Sequence, residues 1–462
     1  MALTGFLEAL DGIEVTTDPK VVKAKSRDWH FISPLLSKTL DGLVADAVVT
    51  PRTPAEVRAV AAAAHAQGVA LTPRGTGTAN YGQSVPLHGG AMLDLSKLSG
   101  VIEVGPGFIR AHAGTRIADL EAAAAETGQE LRFFPTTKKQ ATIGGFVTGG
   151  TGGVGSITYG VLRDPGNIRG LKVVTVEETP REITLTGRDT AIVQHSYGTL
   201  GIVTEVEMPL APKRDWQEAL VTLPDYPAAV RLAVAIGQAP GLEKKLASAY
   251  EWPIGDWLKP LAPFIGEGRS IVIAMIEAAS MPLLREMVAE AGGEITAGGP
   301  EGQAPYGRPI WEFAFGHTTL QAQKTRDDIT EIEGLFSAPD LAARILEVHA
   351  AIGKTGPMRM EIRRWGAELV GSGSTFVTFT DEAAVNEVVT AMRAMGLKVA
   401  NPHASNVRGV GKKTIGPREI AFKREVDPKG LLNPGRFEAE GAADTVIDRH
   451  LDTDGWLDRQ AG

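Results

Sequence analysis

Two stretches of the chain have the composition needed to hold a polyanion against bare backbone. PRGTGTANYGQSVPLHGG begins at Pro73, and TIGGFVTGGTGGVGSITYG spans residues 142–160 with eight glycines in nineteen positions. Glycine costs backbone entropy on folding, so such density needs a reason. Consecutive N–H groups facing one concavity form an anion site, and glycine lets a phosphate approach closely. Neither stretch has the strand–turn–helix glycine spacing of a dinucleotide fingerprint, and neither carries a P-loop lysine.

The elements that must position these loops follow from pattern. LVADAVVT, PAEVRAVAAAAHAQG and VALTP read as strand, helix and strand, with Pro54 in the first helical turn and Gly68 placed to stop the helix. AMLDLS and FIRAHAG read as short strands, TRIADLEAAAAETG as a helix, and LKVVTV and GIVTEVEMPL as strands. The texture changes near Pro209–Pro212. From about 215 to 405, strand and helix patterns alternate with far fewer glycine loops, as expected for helices covering one face of a sheet.

Composition narrows the class. At 462 residues, 43% hydrophobic and 22% charged, the chain reads as an ordinary globular protein of two or three domains. A net charge of −8 argues against nucleic acid as the main partner. The chain has no cysteine, so disulfides, thiolate metal sites and cysteinyl cofactor links are excluded. No apolar run reaches transmembrane length and the N-terminus has no basic region before its apolar positions, so a cytoplasmic location is expected.

At PRGTGTANYGQ (Pro73–Gln83) and PTTKKQATIGGFVTGGTGG (Pro135–Gly153), the chain resembles the vanillyl-alcohol oxidase and para-cresol methylhydroxylase flavoprotein family. The branch is the one holding D-lactate, glycolate and D-2-hydroxyglutarate dehydrogenases. Tyr159–Gly160, the element around Gly198–Leu210 and the terminal DPKGLLNPGRF match as well. The resemblance implies an α+β fold: a two-lobed FAD-binding domain, residues 1–211 completed by 410–462, with an inserted antiparallel α+β cap domain at 212–409. It implies that Pro73, Arg74, Gly75, Thr76, Gly77, Thr78, Asn80 and Tyr81 sit on one side of the FAD diphosphate. Pro135, Thr136, Thr137, Thr142, Gly144, Gly145, Thr148, Gly149, Gly152 and Ser156 sit on the other and under the ring. Ile202 and Val203 offer backbone to the adenine, and Asn433 completes the set. Relatives with a histidyl flavin link carry the histidine where this chain has Thr78, so FAD is expected to be non-covalent.

The chain departs from that branch at its chemistry. The branch shows an HxGDGNxH motif whose histidines bind a divalent metal in some members. Here IRRWGAELVGSGSTF, residues 362–376, occupies the region without a histidine, so no metal is expected. An EHGIG element that places a histidine near the flavin corresponds to VRGVG at 407–411, which puts Arg408 at the histidine position. An arginine stays charged and cannot be the usual base, but it can anchor a carboxylate or stabilise charge on oxygen. The catalytic candidates are His403, five residues before Arg408; His317, where relatives place an arginine on a strand over the flavin; Arg408; and Arg364. Arg363 and Arg364 share a strand, so only one can face inward. Lys412 and Lys413 read as a solvated pair, while Tyr81 and Trp365 are aromatic residues fit to wall a pocket.

The expected function is oxidation of a small alcohol or 2-hydroxyacid-like molecule by hydride transfer to FAD, with an oxygen, quinone or protein acceptor. The alternatives are an aromatic or sugar-like alcohol or an ether as substrate, a non-redox flavin-using relative, and an FAD-binding subunit of a larger complex.

Overall fold

A computed structural model of the chain describes residues 2–437; the acidic segment expected as a tail or docked helix lies outside them. Three sheets organise these residues. The first has four strands in the order Glu14–Thr16, Ala47–Thr50, Ala91–Asp94, Leu71–Arg74, parallel except at the outer pair. The second is antiparallel and centres on the long strand Ile202–Pro212, which pairs with Phe108–His112 on one side and Gly170–Val174 on the other. The third is an eight-stranded antiparallel sheet assembled from residues 216–400.

The helix Pro54–Gln67 joins the first two sheets, and its sequence accounts for it. Thr53 caps the first turn by accepting the Glu56 N–H, Pro54 supplies a preset φ, and Gly68 closes the end at φ 66°. Val57, Val60, Ala61 and Ala64 recur at helical spacing. They bury one face in a core shared with Val174, Val176 and Ile202.

The C-terminal segment returns to brace this half. The Leu71 N–H donates to Leu431, and Asn433 donates back to Leu71. The Asn433 amide also donates to the carbonyls of Gln83 and Tyr197, while Arg436 holds those of Gly82 and Val85. DPKGLLNPGRF is therefore a clamp behind the first glycine loop.

One face of the eight-stranded sheet is covered by the helices Tyr226–Gln238, Met281–Glu290, Leu341–Ile352 and Glu382–Ala394, whose apolar sides share a core with Met358, Met360 and Ile362. The other face turns toward the FAD-type half. One continuous core runs from Phe133, Phe134 and Phe146 into Ile254, Trp311 and Phe313. The Trp311 and Phe134 rings meet edge-on at 5.4 Å, and the Lys245–Glu130 ion pair is buried at the same seam at 2.8 Å. Continuous packing of this kind fixes the cleft between the halves.

Candidate active site

The second glycine stretch is not the open loop its composition predicts. Residues Ile143–Gly149 form a short helix, capped by the Thr142 hydroxyl accepting the Gly145 N–H. Ile143, Phe146 and Val147 bury one side of it, and Gly144 lies so close to Ala113 that a Cβ would sit 2.7 Å from the Ala113 methyl. Glycine is needed here for close packing rather than for chain freedom. The first stretch does remain a loop. Its N–H groups from Gly75 to Gly82 donate to no protein acceptor among the described residues. A row of unpaired amides at a cleft fits an extended anion. Gly75 marks where loop and helix meet, since a Cβ there would lie 2.0 Å from Thr142 Oγ1.

These two segments form one wall of a cleft of about 1570 Å³, its open mouth included, and the inner face of the eight-stranded sheet forms the other. Every expected cofactor residue from Pro73 to Tyr81 lines it, with Pro135, Thr136, Thr137, Thr142, Gly144, Gly145, Thr148, Gly149, Gly152 and Val203. Three expected contacts do not. Ser156 is fully buried, with its hydroxyl accepting the Gly153 N–H. Ile202 is in the core beside Val174. Asn433 spends its amide on the clamp described above. Arg74 lines the cleft, yet its guanidinium donates to the carbonyls of Lys25 and Thr76 and thus tethers the chain before the loop.

Of the catalytic candidates, only His317 lines the cleft. It sits in the helix Gly316–Ala322 rather than on a strand, and its Nδ1 is buried without a partner. Burial lowers its pKa, which the charge of Glu312 only partly offsets, so the imidazole is neutral at neutral pH. His403 lies elsewhere: Nδ1 is 2.6 Å from the Ser33 hydroxyl, the ring stacks on Phe379, and burial pulls its pKa to about 4. It ties the N-terminal segment to the sheet. Arg408 lies on the short helix Val407–Val410, outside the cleft lining. Arg364 turns back onto its own hairpin and donates to Ala367, because strand alternation gives the inward position to Arg363.

The inner face carries what sequence reading missed. Arg359, Glu361 and Arg363 alternate along Met358–Trp365, facing Glu331 and Glu333 of Ile329–Phe336 across Ser372 and Ser374 of Glu368–Thr378. Arg359 pairs with Glu331 at 2.9 Å and with Glu361, and donates to Ser374. Lys412 is not part of a solvated pair. It is buried against Glu333 at 2.7 Å and the Tyr81 hydroxyl at 3.3 Å. Lys413 is buried too, donating to Ala191, and burial brings its pKa to about 8. Burial raises the Glu333 carboxyl, but Lys412 and then Arg363 outweigh that and hold it well below the usual range. At Glu361 burial wins over Arg359 and the pKa is raised.

The cleft face therefore holds three carboxylates and three cations. Arg363 is the least satisfied of them. Its one ion contact among the described residues, to Glu333, is 3.6 Å long, where Arg359 has two shorter ones, and burial lowers its pKa; the Nε atoms of both arginines lack partners. Arg359 is the opposite case. Arg359→Met strands Glu331 and Glu361, and is expected to cost about 3–5 kcal/mol of stability in chemical denaturation.

Backbone strain gathers at the same place. Four described non-glycine residues have positive φ: His195 (53°), Tyr197 (57°), Phe315 (51°) and Asn433 (40°). The first three line the cleft, and the fourth holds the Tyr197 carbonyl. Each costs roughly 1–3 kcal/mol and persists only where its surroundings over-determine it. Phe315 is held by its N–H donating to Glu361 at 2.6 Å. His195 must carry its proton on Nδ1, which faces the Gly150 carbonyl at 3.2 Å, and burial depresses its pKa to about 3.

Residues 45–184 match the FAD binding domain family. Over 208 residues the chain is 33% identical to an uncharacterized FAD-linked oxidoreductase of Mycobacterium tuberculosis, covering 42% of this chain and 44% of the relative. It is 30% identical over 187 residues to the glycolate oxidase subunit GlcD of Bacillus subtilis, covering 38% and 39%. The matched part thus spans less than half the length of these relatives. A D-2-hydroxyglutarate dehydrogenase of Xanthomonas citri pv. viticola aligns over 95% of this chain and 97% of its own at 25% identity. Among solved structures, an alkyldihydroxyacetonephosphate synthase superposes with a TM-score of 0.67 over 93% of this chain and 84% of its own, at 16% identity, a likeness of fold. Residues 45–184 therefore carry an FAD binding domain, and the relatives that align with this part of the chain are FAD-linked oxidoreductases.

The cleft residues fit FAD. Gly75→Ala drives a methyl into Thr142 between the two segments, and is expected to weaken FAD binding at least about tenfold, or 1.4 kcal/mol. Flavin titration of the apoprotein measures this, with circular dichroism as the control for folding. Among the described residues no group of three or more His, Asp or Glu is placed to hold a metal, and no helix is long and apolar enough to cross a membrane.

Proposed function

We propose that the protein oxidises a small 2-hydroxycarboxylate, or a close analogue, at the carbon bearing the hydroxyl, using non-covalently bound FAD. The Gly75–Gly82 amides and the Thr136–Thr137 and Thr142–Gly145 segments would hold the diphosphate, and Gly149–Gly152 with His195 and Tyr197, which line the same cleft, would receive the flavin end. FAD, when bound, supplies the two-electron acceptor. The observation that carries the substrate class is Arg363, a buried guanidinium in the cleft lining whose ion contact to Glu333 is 3.6 Å long. A fork of that kind takes a carboxylate by two parallel hydrogen bonds. Glu333, itself paired with Lys412, anchors the guanidinium.

His317 accepts the hydroxyl proton at Nδ1. Its neutral state suits a base, and it stands beside the strained Phe315 on the sheet side of the cleft. The other cleft histidine, His195, has its Nδ1 proton committed to Gly150 and serves as a fixed dipole. Thr78 at the position of the histidyl link supports a flavin that acid precipitation releases entirely into the supernatant. The cysteine-free chain fits a reducing compartment such as the cytoplasm.

Anaerobic mixing tests the reading. A set of 2-hydroxycarboxylates should include one that bleaches the ~450 nm flavin band, while the alcohols lacking the carboxylate leave it unchanged. Bleaching by uncharged alcohols alone would point to an apolar substrate. A flavin that none of them bleaches would point to the non-redox class.

A further inference from the structure

A second, smaller cavity opens beside the Glu333–Arg363–Lys412 group. Thr151, Glu333, Arg363 and Lys412 line both cavities, so the two meet at these residues. Its outer part is built by Lys398 and Ala400 of the edge strand Lys398–Ala400, by Gly411 and by Trp365. Ala400 pairs with Glu333 and Lys398 with Leu335, which places Lys398 on the same inner face as Glu333.

The charges around this opening do not balance. Arg163 stacks over Trp365 at 4.8 Å and is fixed by donating to the Lys412 carbonyl, and Arg363 approaches the same ring at 6.0 Å. In the lining itself Arg363, Lys398 and Lys412 make three cations beside the single carboxylate of Glu333, while Arg163 behind them is offset by Asp164 and Glu419. Lys398 makes no ion pair or hydrogen bond among the described residues. Burial and the charge of Arg163 lower its pKa, against a weaker pull from Glu368. The chain as a whole carries −8, so its general field repels an anion. A local cationic opening reverses that field at one place.

We propose that this cavity is the vestibule through which a small anionic substrate reaches the cleft, with Lys398 capturing its carboxylate and passing it to Lys412 and Arg363. The proposal rests on the reading that the substrate is a carboxylate. Steering of this kind acts on the rate of encounter and fades with salt.

Two variants test it in the FAD-loaded protein. Lys398→Glu is expected to lower kcat/KM for the bleaching 2-hydroxycarboxylate about tenfold at low ionic strength with kcat unchanged. The deficit should shrink severalfold in 0.5 M salt, and Lys398→Arg should restore it. Ala400→Trp, which fills the cavity, should lower kcat/KM at every salt concentration. Dithionite, a small inorganic anion, supplies a readout that needs no substrate. Its bleaching of the flavin should slow in both variants, with a salt dependence only in Lys398→Glu. If wild-type flavin is bleached by no hydroxycarboxylate, the reading of the reaction fails while the dithionite comparison still decides the vestibule. Unchanged dithionite rates in both folded, yellow variants would overturn the vestibule whatever the substrate.

Discussion

Arg363→Met is expected to lower kcat/KM for a 2-hydroxycarboxylate on the order of 10²–10³-fold, about 2.7–4 kcal/mol of transition-state binding, while FAD stays bound. The reason lies in how the guanidinium is held. Serving only as structural glue, it would carry a short pair on each edge, as Arg359 does with Glu331 and Glu361. Instead Arg363 keeps a single contact of 3.6 Å, and a bound carboxylate would complete its pairing. Methionine keeps the bulk and removes the fork. Glu333 retains Lys412, so the fold should survive. The measurement is steady-state kinetics on the acid and on its uncharged amide. The acid loses its advantage in the variant and the amide is little changed. An equal loss for both would assign Arg363 to packing.

His317→Gln is expected to lower kcat about 10²–10⁴-fold, the range general-base removal usually gives. Wild-type kcat/KM should be flat through neutral pH and fall on acidification. The imidazole is active when neutral, and burial sets its pKa below the ordinary 6.5, so protonation removes the base only below that value. In His317→Gln the acid limb attributable to this group disappears along with most of the rate. A variant that keeps the limb would move the base to Glu361, whose raised pKa makes it the next proton acceptor in the cleft.

The FAD-type half was legible because its signals are local. Pro54, Gly68 and the PRGTGTANYG run each act within a few residues, and the structure sets Pro73–Tyr81 along one cleft. The inner face was opaque for the converse reason. MRMEIRRW alternates charge and apolar side chains as a half-solvated strand does, and only the other half, brought in from the first 200 residues, turns its polar side into a buried network. Lys412 reads as solvated for the same reason. The choice between Arg363 and Arg364 needs only the strand's phase, which the Met360 and Ile362 positions supply once their covering helices are known. His403 was misjudged because its partner, Ser33, lies 370 residues away. The glycines of residues 142–153 read as an open loop, whereas Thr142 caps a short helix within them.

The proposed reaction requires one FAD in the cleft between the Gly75–Gly82 loop and the charged face of the sheet, held without a covalent bond. Titration of apoprotein with FAD, followed by protein fluorescence and by absorbance, tests it most directly. Saturation is expected at one FAD per chain, with all the yellow colour released by acid and binding weakened in Gly75→Ala. A chain that takes up no flavin, or binds it equally well in Gly75→Ala, would contradict it.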